Sequence, residues 1–166
     1  SIDEDNPLIL QLSASDIEND ELTFSASVDG NGSASIGEDG TTLTVNPDDN
    51  FNGDIIVAVQ VSDGELTDQT SFTLTVNPVN DAPTLDDLID VSVDEDNIYT
   101  LQLSGTDVDD DPLTFLASVD ANGSASVDGT TLTVTPDADY NGDITVNVIA
   151  SDGQGSGSGS FTLTVN

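Results

Sequence analysis

Apolar and polar residues alternate in short runs along the whole chain. Leu8–Leu12 (LILQL), Thr41–Val45 (TTLTV) and Phe72–Val76 (FTLTV) are such runs, and Ile55–Val61 (IIVAVQV) is a longer one rich in β-branched residues. A period of two is typical of strands that bury one face. No window keeps a helical period, and the intervening residues are Gly, Asn, Asp and Pro, which turns require. The pattern therefore predicts an all-β protein.

The chain contains two copies of one unit. Ser1–Ile36 matches Ser92–Val127 at 23 of 36 positions, and Thr41–Asn77 matches Thr130–Asn166 at 23 of 37. A unit of about 90 residues is longer than the roughly 20 to 50 residues typical of repeats that share one continuous core. We therefore expect each copy to be a domain of its own.

Each copy has the strand content of a small β-sandwich, with about seven short strands separated by turns. In the second copy, strands are predicted at Val91–Val93, Thr100–Ser104, Leu113–Val119, Ser124–Val127, Thr131–Thr135, Ile144–Ser151 and Ser160–Val165. The Gly-rich stretch that begins at Ser151 (SDGQGSGSGSF) is predicted to be a flexible hairpin loop.

Two prolines mark the connection between the copies. The segment Val76–Leu88 (VNPVNDAPTLDDL) includes Pro78 and Pro83 and is expected to be a short, stiff linker. The predicted division is repeat 1 at 1–78, linker at 79–90 and repeat 2 at 91–166.

Aromatic residues are scarce and recur at matching positions of the two copies. They make up 4% of the chain, and we expect most of them to be core or corner residues rather than a surface for stacking ligands. The matching residues are Phe24, Phe51 and Phe72 in the first copy and Phe115, Tyr140 and Phe161 in the second.

The charge balance is extreme. The chain has 33 Asp and Glu residues and no Lys, Arg or His, which gives a formal net charge of -33. Such acidity can indicate disorder, but the regular strand pattern argues against it here. No side-chain salt bridge can form, so any positive charge that neutralises the acidic clusters must come from solution.

The same composition excludes several classes of function. Without His, Lys or Cys, the chain has no imidazole base, lysine nucleophile, thiol chemistry or disulfide. Repulsion of polyanions argues against nucleic acid as a partner. The apolar runs are too short to insert into a membrane, and no signal peptide begins at Ser1. We expect the sequence to be a piece of a longer chain.

The acidic residues are most crowded between Ser104 and Phe115 (SGTDVDDDPLTF), where four aspartates lie within five positions. One interpretation is a solvated surface in which Asp and Asn only form turns, and this suits scattered residues such as Asp20 and Asp68. It suits the cluster less well, because two unit charges 4 Å apart repel by about 4 kcal/mol at an effective dielectric constant of 20. A cation bound between the carboxylates is the other interpretation.

Three motifs resemble those of a known family. They are the linker Val79–Pro83 (VNDAP), the DVDDDPLTF loop, and Pro136–Asp143 (PDADYNGD) followed by a strand and SDG. All three are similar to motifs of the cadherin-like repeats that occur in tandem in large bacterial surface and secreted proteins, and these repeats resemble animal cadherin domains. The resemblance implies two tandem seven-stranded Greek-key β-sandwiches of the Ig/cadherin type that bind calcium between successive domains.

The resemblance also implies which residues bind the metal. Asn77 and Asn80 stand where the cadherin linker motif has aspartates, and Asn50 replaces a glutamate, so part of the site carries less charge. Calcium takes six to eight oxygen ligands from carboxylates and carbonyls, whereas zinc is improbable without Cys or His. The implied calcium ligands are Glu4, Asp48, Asn50, Asn77, Asn80, Asp81, Asp107, Asp109 and Asp152.

The function expected from these observations is a non-catalytic, calcium-binding spacer and adhesion repeat on a bacterial cell surface. Its partners would be neighbouring repeats of the same chain, and a cell-surface or matrix ligand that is a glycan or a protein. Two alternatives stay open: a carbohydrate-binding module, and a subunit of a self-assembling extracellular fibre or sheath. A glycosidase needs only two carboxylates, but it also needs a cleft, which small sandwiches seldom have.

Overall fold

Sixteen β-strands and their connecting loops make up the structure, a computed structural model that describes residues Ser1–Asn166. The strands belong to two compact units, Ser1–Val79 (unit 1) and Asn80–Asn166 (unit 2). None of the secondary structure is a helix with the length and apolar character that crossing a membrane requires.

Unit 1 is a sandwich of two sheets. One sheet has the strand order β1-β7-β6-β3 and the other β2-β5-β4. Alternate side chains of β5, β6 and β7 point inward, and Leu43, Val45, Ile55 and Val57 are completely buried between the sheets. The strands are β1 (Ile2–Asp3), β2 (Leu8–Gln11), β3 (Thr23–Val28), β4 (Gly32–Ile36), β5 (Thr42–Pro47), β6 (Gly53–Ser62) and β7 (Thr67–Asn77).

Unit 2 repeats this arrangement and extends it. Its counterpart sheets have the orders β9-β16-β15-β12 and β10-β14-β13, and a third, two-stranded sheet pairs β8 with β11. Leu132, Val134, Ile144 and Val146 are completely buried. The strands are β8 (Thr84–Leu85), β9 (Val91–Val93), β10 (Tyr99–Gln102), β11 (Gly105–Thr106), β12 (Thr114–Val119), β13 (Gly123–Asp128), β14 (Thr131–Pro136), β15 (Gly142–Ser151) and β16 (Ser156–Val165).

The all-β fold class, with two tandem Ig/cadherin-like sandwiches, is confirmed. In each unit, the shortest strand of the larger sheet is parallel to the last strand: β1 pairs with β7 and β9 pairs with β16. All other pairings are antiparallel, as a Greek-key sandwich requires.

Residues 80–90 of the predicted linker, 79–90, belong to unit 2, whereas Val79 is the last residue of unit 1. Thr84 pairs with Thr106 and Leu85 with Gly105, and Leu85 and Leu88 pack against the core of the unit. The difference arises because an isolated two-residue strand has no clear sequence signature, while Gly105 lets the backbone of Thr84 come close. A Cβ atom at Gly105 would lie 2.5 Å from the Thr84 carbonyl oxygen.

The expected Gly-rich hairpin loop is mostly strand. β16 begins at Ser156 and pairs with Ser151 of β15, so that only four residues form the turn. Glycine weakens strand propensity but permits another backbone to approach closely. That is its role here, since a Cβ atom at Gly157 would lie 2.2 Å from the carbonyl oxygen of Pro83.

The aromatic residues lie in the core or at its corners, as predicted. Phe115 and Phe161 are buried, and Phe161 makes an edge-to-face contact with Tyr99 at a centroid distance of 5.9 Å. Tyr140 packs on the core, and its hydroxyl donates a 3.0 Å hydrogen bond to the Asp143 carbonyl oxygen.

Candidate metal centre

One end of unit 2 collects three acidic segments that are distant in sequence. Thr84 pairs with Thr106, and Thr114 pairs with Ser151. The residues before Thr84, the loop between Thr106 and Thr114, and the turn after Ser151 must therefore lie at the same end. This placement brings together Asn80, Asp81, Asp107, Asp109 and Asp152, which are the five predicted ligands of unit 2.

The segment that leads into β8 is hydrogen-bonded to both acidic loops. The Asp81 backbone N–H donates to Asp109 Oδ2 at 2.8 Å. The Asn80 side-chain amide donates to Asp152 Oδ2 at 2.9 Å, and Asn80 Oδ1 accepts a 2.7 Å hydrogen bond from the side chain of Gln154. Two adjacent residues thus connect the loop of Asp109 to the turn of Asp152.

Asp107 organises its own loop with one carboxylate oxygen and leaves the other without a donor. Its Oδ1 accepts hydrogen bonds from the backbone N–H groups of Asp109 at 2.9 Å and Asp111 at 3.2 Å. Asp110 has φ 60°, a conformation that Asp and Asn tolerate better than most residues. Asp107 Oδ2 is buried and has no hydrogen-bond partner. In a chain without any cationic side chain, this oxygen is a position where a metal ion would be expected.

The turn after β15 is held by the carboxylate of Asp152. Asp152 Oδ1 accepts hydrogen bonds of 2.6 Å from the backbone N–H groups of both Gln154 and Gly155. The hydrogen bond from Asn80, followed by those from Gly155 and Gln154, holds the pKa of Asp152 below its usual value. The group therefore stays ionised in mild acid, as a calcium ligand must.

Neutral N–H groups partly compensate the negative charge of the acidic loops. One backbone N–H donates to Asp109, and backbone and amide N–H groups donate to Asp152, but no group of three or more Asp or Glu side chains is arranged to hold a metal ion. The donors are nonetheless of the right kind for calcium: carboxylate and amide oxygens, with one buried carboxylate oxygen available. The residue types therefore suit calcium, but hydrogen bonds rather than a metal ion hold these side chains in their present positions.

In unit 1, Glu4 and Asn77 lie together where β1 runs beside the end of β7. Glu4 is buried, with 3% of its surface exposed, and its carboxylate accepts a hydrogen bond from the backbone N–H of Val79. The Glu4 backbone N–H donates to the Asn77 carbonyl oxygen at 3.0 Å, and the Asn77 amide donates to Asp3 at 3.2 Å. A buried glutamate is therefore fixed at the start of the inter-repeat segment.

Asp48 and Asn50, the other two predicted ligands of unit 1, have exposed side chains. They form a turn in which the Phe51 N–H donates to the Asp48 carbonyl oxygen at 3.1 Å. The Asn50 N–H donates to Asp5 Oδ1 at 2.9 Å, which connects this turn to the turn after β1.

Sequence reasoning missed Asp5. Its hydrogen bond to Asn50 recurs in unit 2, where Asp96 Oδ1 accepts from the Asp139 N–H at 3.2 Å. Asp5 and Asp96 occupy matching positions of the DEDN motif. The signal was present in the repeat, as an identical aspartate that no cadherin ligand position explained.

Comparison with known proteins identifies the type of domain. Residues 80–166 match the bacterial Ig domain family, and residues 1–77 match the cadherin-like domain family. The chain belongs to the bacterial Ig domain family. Its two halves are copies of one another that match different family models, so the two families describe closely similar repeats. The resemblance to cadherin-like repeats is thereby confirmed.

Two crystal structures of human protocadherin-24 resemble the chain over both of its units. The EC1-2 domains of human protocadherin-24 match at a TM-score of 0.57 and 17% identity, over 99% of this chain and 92% of that chain. A second crystal form matches at a TM-score of 0.56 and 15% identity, over 94% and 86%. At these identities the likeness shows the fold alone.

A much larger enzyme also contains a similar region. An endo-fucoidan hydrolase of glycoside hydrolase family 107 matches at a TM-score of 0.42 and 22% identity, over 99% of this chain. The chain spans only 27% of the length of that enzyme. A comparison with curated proteins gives no match.

Proposed function

We propose that the chain is a non-catalytic, calcium-binding spacer and adhesion repeat of a longer extracellular bacterial protein. The observation that carries this proposal is the buried Oδ2 of Asp107, which has no hydrogen-bond partner in a chain of net charge -33 without cationic side chains. A buried carboxylate oxygen without a hydrogen-bond donor carries a desolvation cost. A divalent cation from solution would remove that cost.

In unit 2, calcium would be held by the carboxylates of Asp107, Asp109 and Asp152, with Asn80 and Asp81 as further ligands. The ion supplies positive charge and a coordination number high enough to accept several carboxylate and amide oxygens. The carboxylates keep acceptor positions beside the hydrogen bonds they already accept, but no three of them are grouped around one point, so binding would require the loops to draw together. We therefore expect the ends of both loops to rearrange when calcium binds.

The ligands assigned to unit 1 complete the proposed junction. Glu4 and Asn77 lie at the start of the segment that continues into Asn80 and Asp81, and Asp48 and Asn50 are on a turn connected to theirs through Asp5. A metal that takes ligands from both repeats stabilises only the arrangement in which both can reach it. Calcium would thus fix the angle between successive repeats.

The setting we propose is the bacterial cell surface. Bacterial Ig and cadherin-like domains are typically extracellular, and the absence of Lys and Arg leaves no site for trypsin-like proteases. The repeats would act as spacers whose partners are the neighbouring repeats and a surface or matrix ligand.

Thermal unfolding with different divalent cations tests the proposal. At equal concentration, calcium should raise the melting temperature much more than magnesium, which demands a regular octahedral site and keeps its waters. At a calcium concentration about 100 times the dissociation constant, binding would raise the free energy of unfolding by about 2.7 kcal/mol. Identical melting curves in calcium, magnesium and chelator would refute the calcium proposal, and equal stabilisation by both cations would reduce it to nonspecific screening.

A further inference from the structure

Unit 1 has an open apolar groove between its two sheets. The groove has a volume of about 340 Å³ and is lined by residues of unit 1 only. Leu12, Phe24, Val61 and Phe72 contribute to it, and all four are only partly buried. Exposed apolar surface of this kind usually marks a place where something binds.

The matching face of unit 2 is covered. The counterparts of those four residues are Leu103, Phe115, Ala150 and Phe161, whose exposed fractions are 4%, 8%, 0% and 3%. The cover is the chain's own segment around β8, because Leu85 and Leu88 pack on this core, and Leu85 also approaches Gly159. The same fold therefore has one filled groove and one open groove.

The edge of the open groove has backbone groups that could pair with another strand. In unit 2, Gly105 and Thr106 form β11 and pair with β8. Their counterparts in unit 1 are Ala14 and Ser15, whose backbone groups make no hydrogen bond to the rest of the chain. Unpaired backbone groups beside an apolar groove favour the addition of an extended segment.

We propose that the groove of unit 1 is a docking site for an extended segment that resembles Ala82–Leu88 in chemistry and enters from the N-terminal side of β1. Its two leucines, spaced like Leu85 and Leu88, would cover Leu12, Phe24 and Phe72. Its backbone would pair with Ala14 and Ser15. This docking does not depend on calcium, since none of the proposed metal ligands lines the groove.

Side chains in unit 1 would keep the docked segment farther from the sheet than the β8 segment is in unit 2. Cβ atoms at Gly105 and Gly157 would lie 2.5 Å and 2.2 Å from backbone oxygens of the β8 segment. Unit 1 has Ala14 and Asp68 at these positions. Asp68 also lines the groove, so Asp68→Gly, which removes both its side chain and its charge, should make docking tighter.

The test adds a copy of residues 80–91 (NDAPTLDDLIDV) in front of Ser1, which reproduces the spacing found in unit 2. In chelator, the added segment should raise the melting temperature of unit 1 by about 5 °C or more, the shift typical of modest stabilisation in a small domain. Amide exchange at Ala14 and Ser15 should slow at least tenfold. Both tyrosines, Tyr99 and Tyr140, lie in unit 2, so tyrosine fluorescence identifies the transition of unit 2 and calorimetry gives the other.

The matched control carries Leu85→Ser and Leu88→Ser in the added copy alone, with the original segment intact. It should behave like the parent chain, while the unchanged copy should raise the melting temperature of unit 1 more in an Asp68→Gly chain than in the parent chain. If the unchanged copy and its serine variant have the same effect, the groove is not a site for this segment. Concentration-dependent protection of Ala14 and Ser15 in the parent chain would instead assign the groove to a second copy and overturn the proposal.

Discussion

At the scale of single residues, the acidic loop of unit 2 contains both partly buried and exposed carboxylates. Asp109 is partly buried and accepts a hydrogen bond from the Asp81 N–H, whereas the adjacent Asp110 is exposed. Asp109→Asn should weaken calcium binding by about tenfold or more, the loss typical even of residues that only support a metal ligand. Isothermal titration of the full chain with calcium measures this change.

Asp110→Asn is the matched control for this variant. It removes the same charge from the same loop, and Asn tolerates the φ of 60° as well as Asp does. Calcium binding should change little. If both variants weaken binding equally, the response depends on net charge alone, and the loop is a solvated acidic surface.

Asp39 gives a prediction for acid stability in unit 1. Hydrogen bonds from the Thr42 hydroxyl and from the backbone N–H groups of Thr41 and Thr42 lower its pKa from 3.8 to about 2. A lowered pKa in the folded state means that this carboxylate stabilises the fold above pH 3.8, and that the stabilisation is lost as the pH falls towards 2. Calorimetry should therefore show Asp39→Asn less stable than wild type near neutral pH, with the difference shrinking below pH 3.8 and vanishing only below about pH 2. A difference that is constant with pH would show that the charge of Asp39 is not involved.

The sequence identifies residues better than it identifies their contacts. Asn80, Asp81, Asp107, Asp109 and Asp152 could be selected because they match motif positions of the cadherin-like repeats that the sequence resembles, and the fold does bring them to one end of unit 2. That N–H donors occupy Asp109 and Asp152 could not be predicted, because those hydrogen bonds depend on loop conformations that no periodic pattern specifies. Their role as metal ligands stays a prediction.

At the scale of secondary structure, the glycines of β16 allow the β8 segment to lie close to this strand. Gly157→Ala places a methyl group where the Pro83 carbonyl oxygen lies 2.2 Å away, so the β8 segment must move outward. We expect a loss of about 1–3 kcal/mol, as for other overpacked sites. Urea unfolding followed by tyrosine fluorescence reports on unit 2 directly.

Ser158→Ala provides the comparison for Gly157→Ala. Ser158 is the next residue on β16 and is exposed, so its substitution should cost much less. If the two variants are equally stable, close approach of the β8 segment to β16 is not important for unit 2.

Strands could be predicted where apolar and polar side chains alternate, but not where only backbone pairing with another strand defines them. The β-branched runs that became β5, β6, β14 and β15 were found because burial of one face imposes a period of two. The prediction for β16 covers Ser160–Val165 but not its first four residues, which are held by pairing with β15. The strand at Thr84 was not predicted, since it is held only by two residues of β11. Such tertiary pairing overrides local propensity.

At the scale of the whole molecule, the internal repeat predicts two sandwiches, and the structure contains two compact units. The net charge of -33 was equally evident from composition. The strength of the repulsion between the two repeats could not be judged from composition, because it depends on which ions are bound or present in solution. We expect monovalent salt to reduce this repulsion, since the Debye length falls to about 8 Å at 0.15 M.

The most direct test of the proposed function is small-angle X-ray scattering of the full chain with and without calcium, at one fixed ionic strength. Fixed ionic strength is essential because screening weakens repulsion without supplying a ligand. With calcium, we predict a narrow distribution of interatomic distances with a well-defined maximum dimension. In chelator, the distribution should broaden while tyrosine fluorescence shows that unit 2 stays folded. Scattering curves that overlay in calcium and chelator would contradict the account, because the junction would then be set by packing or by Pro78 and Pro83, even if calcium binds elsewhere.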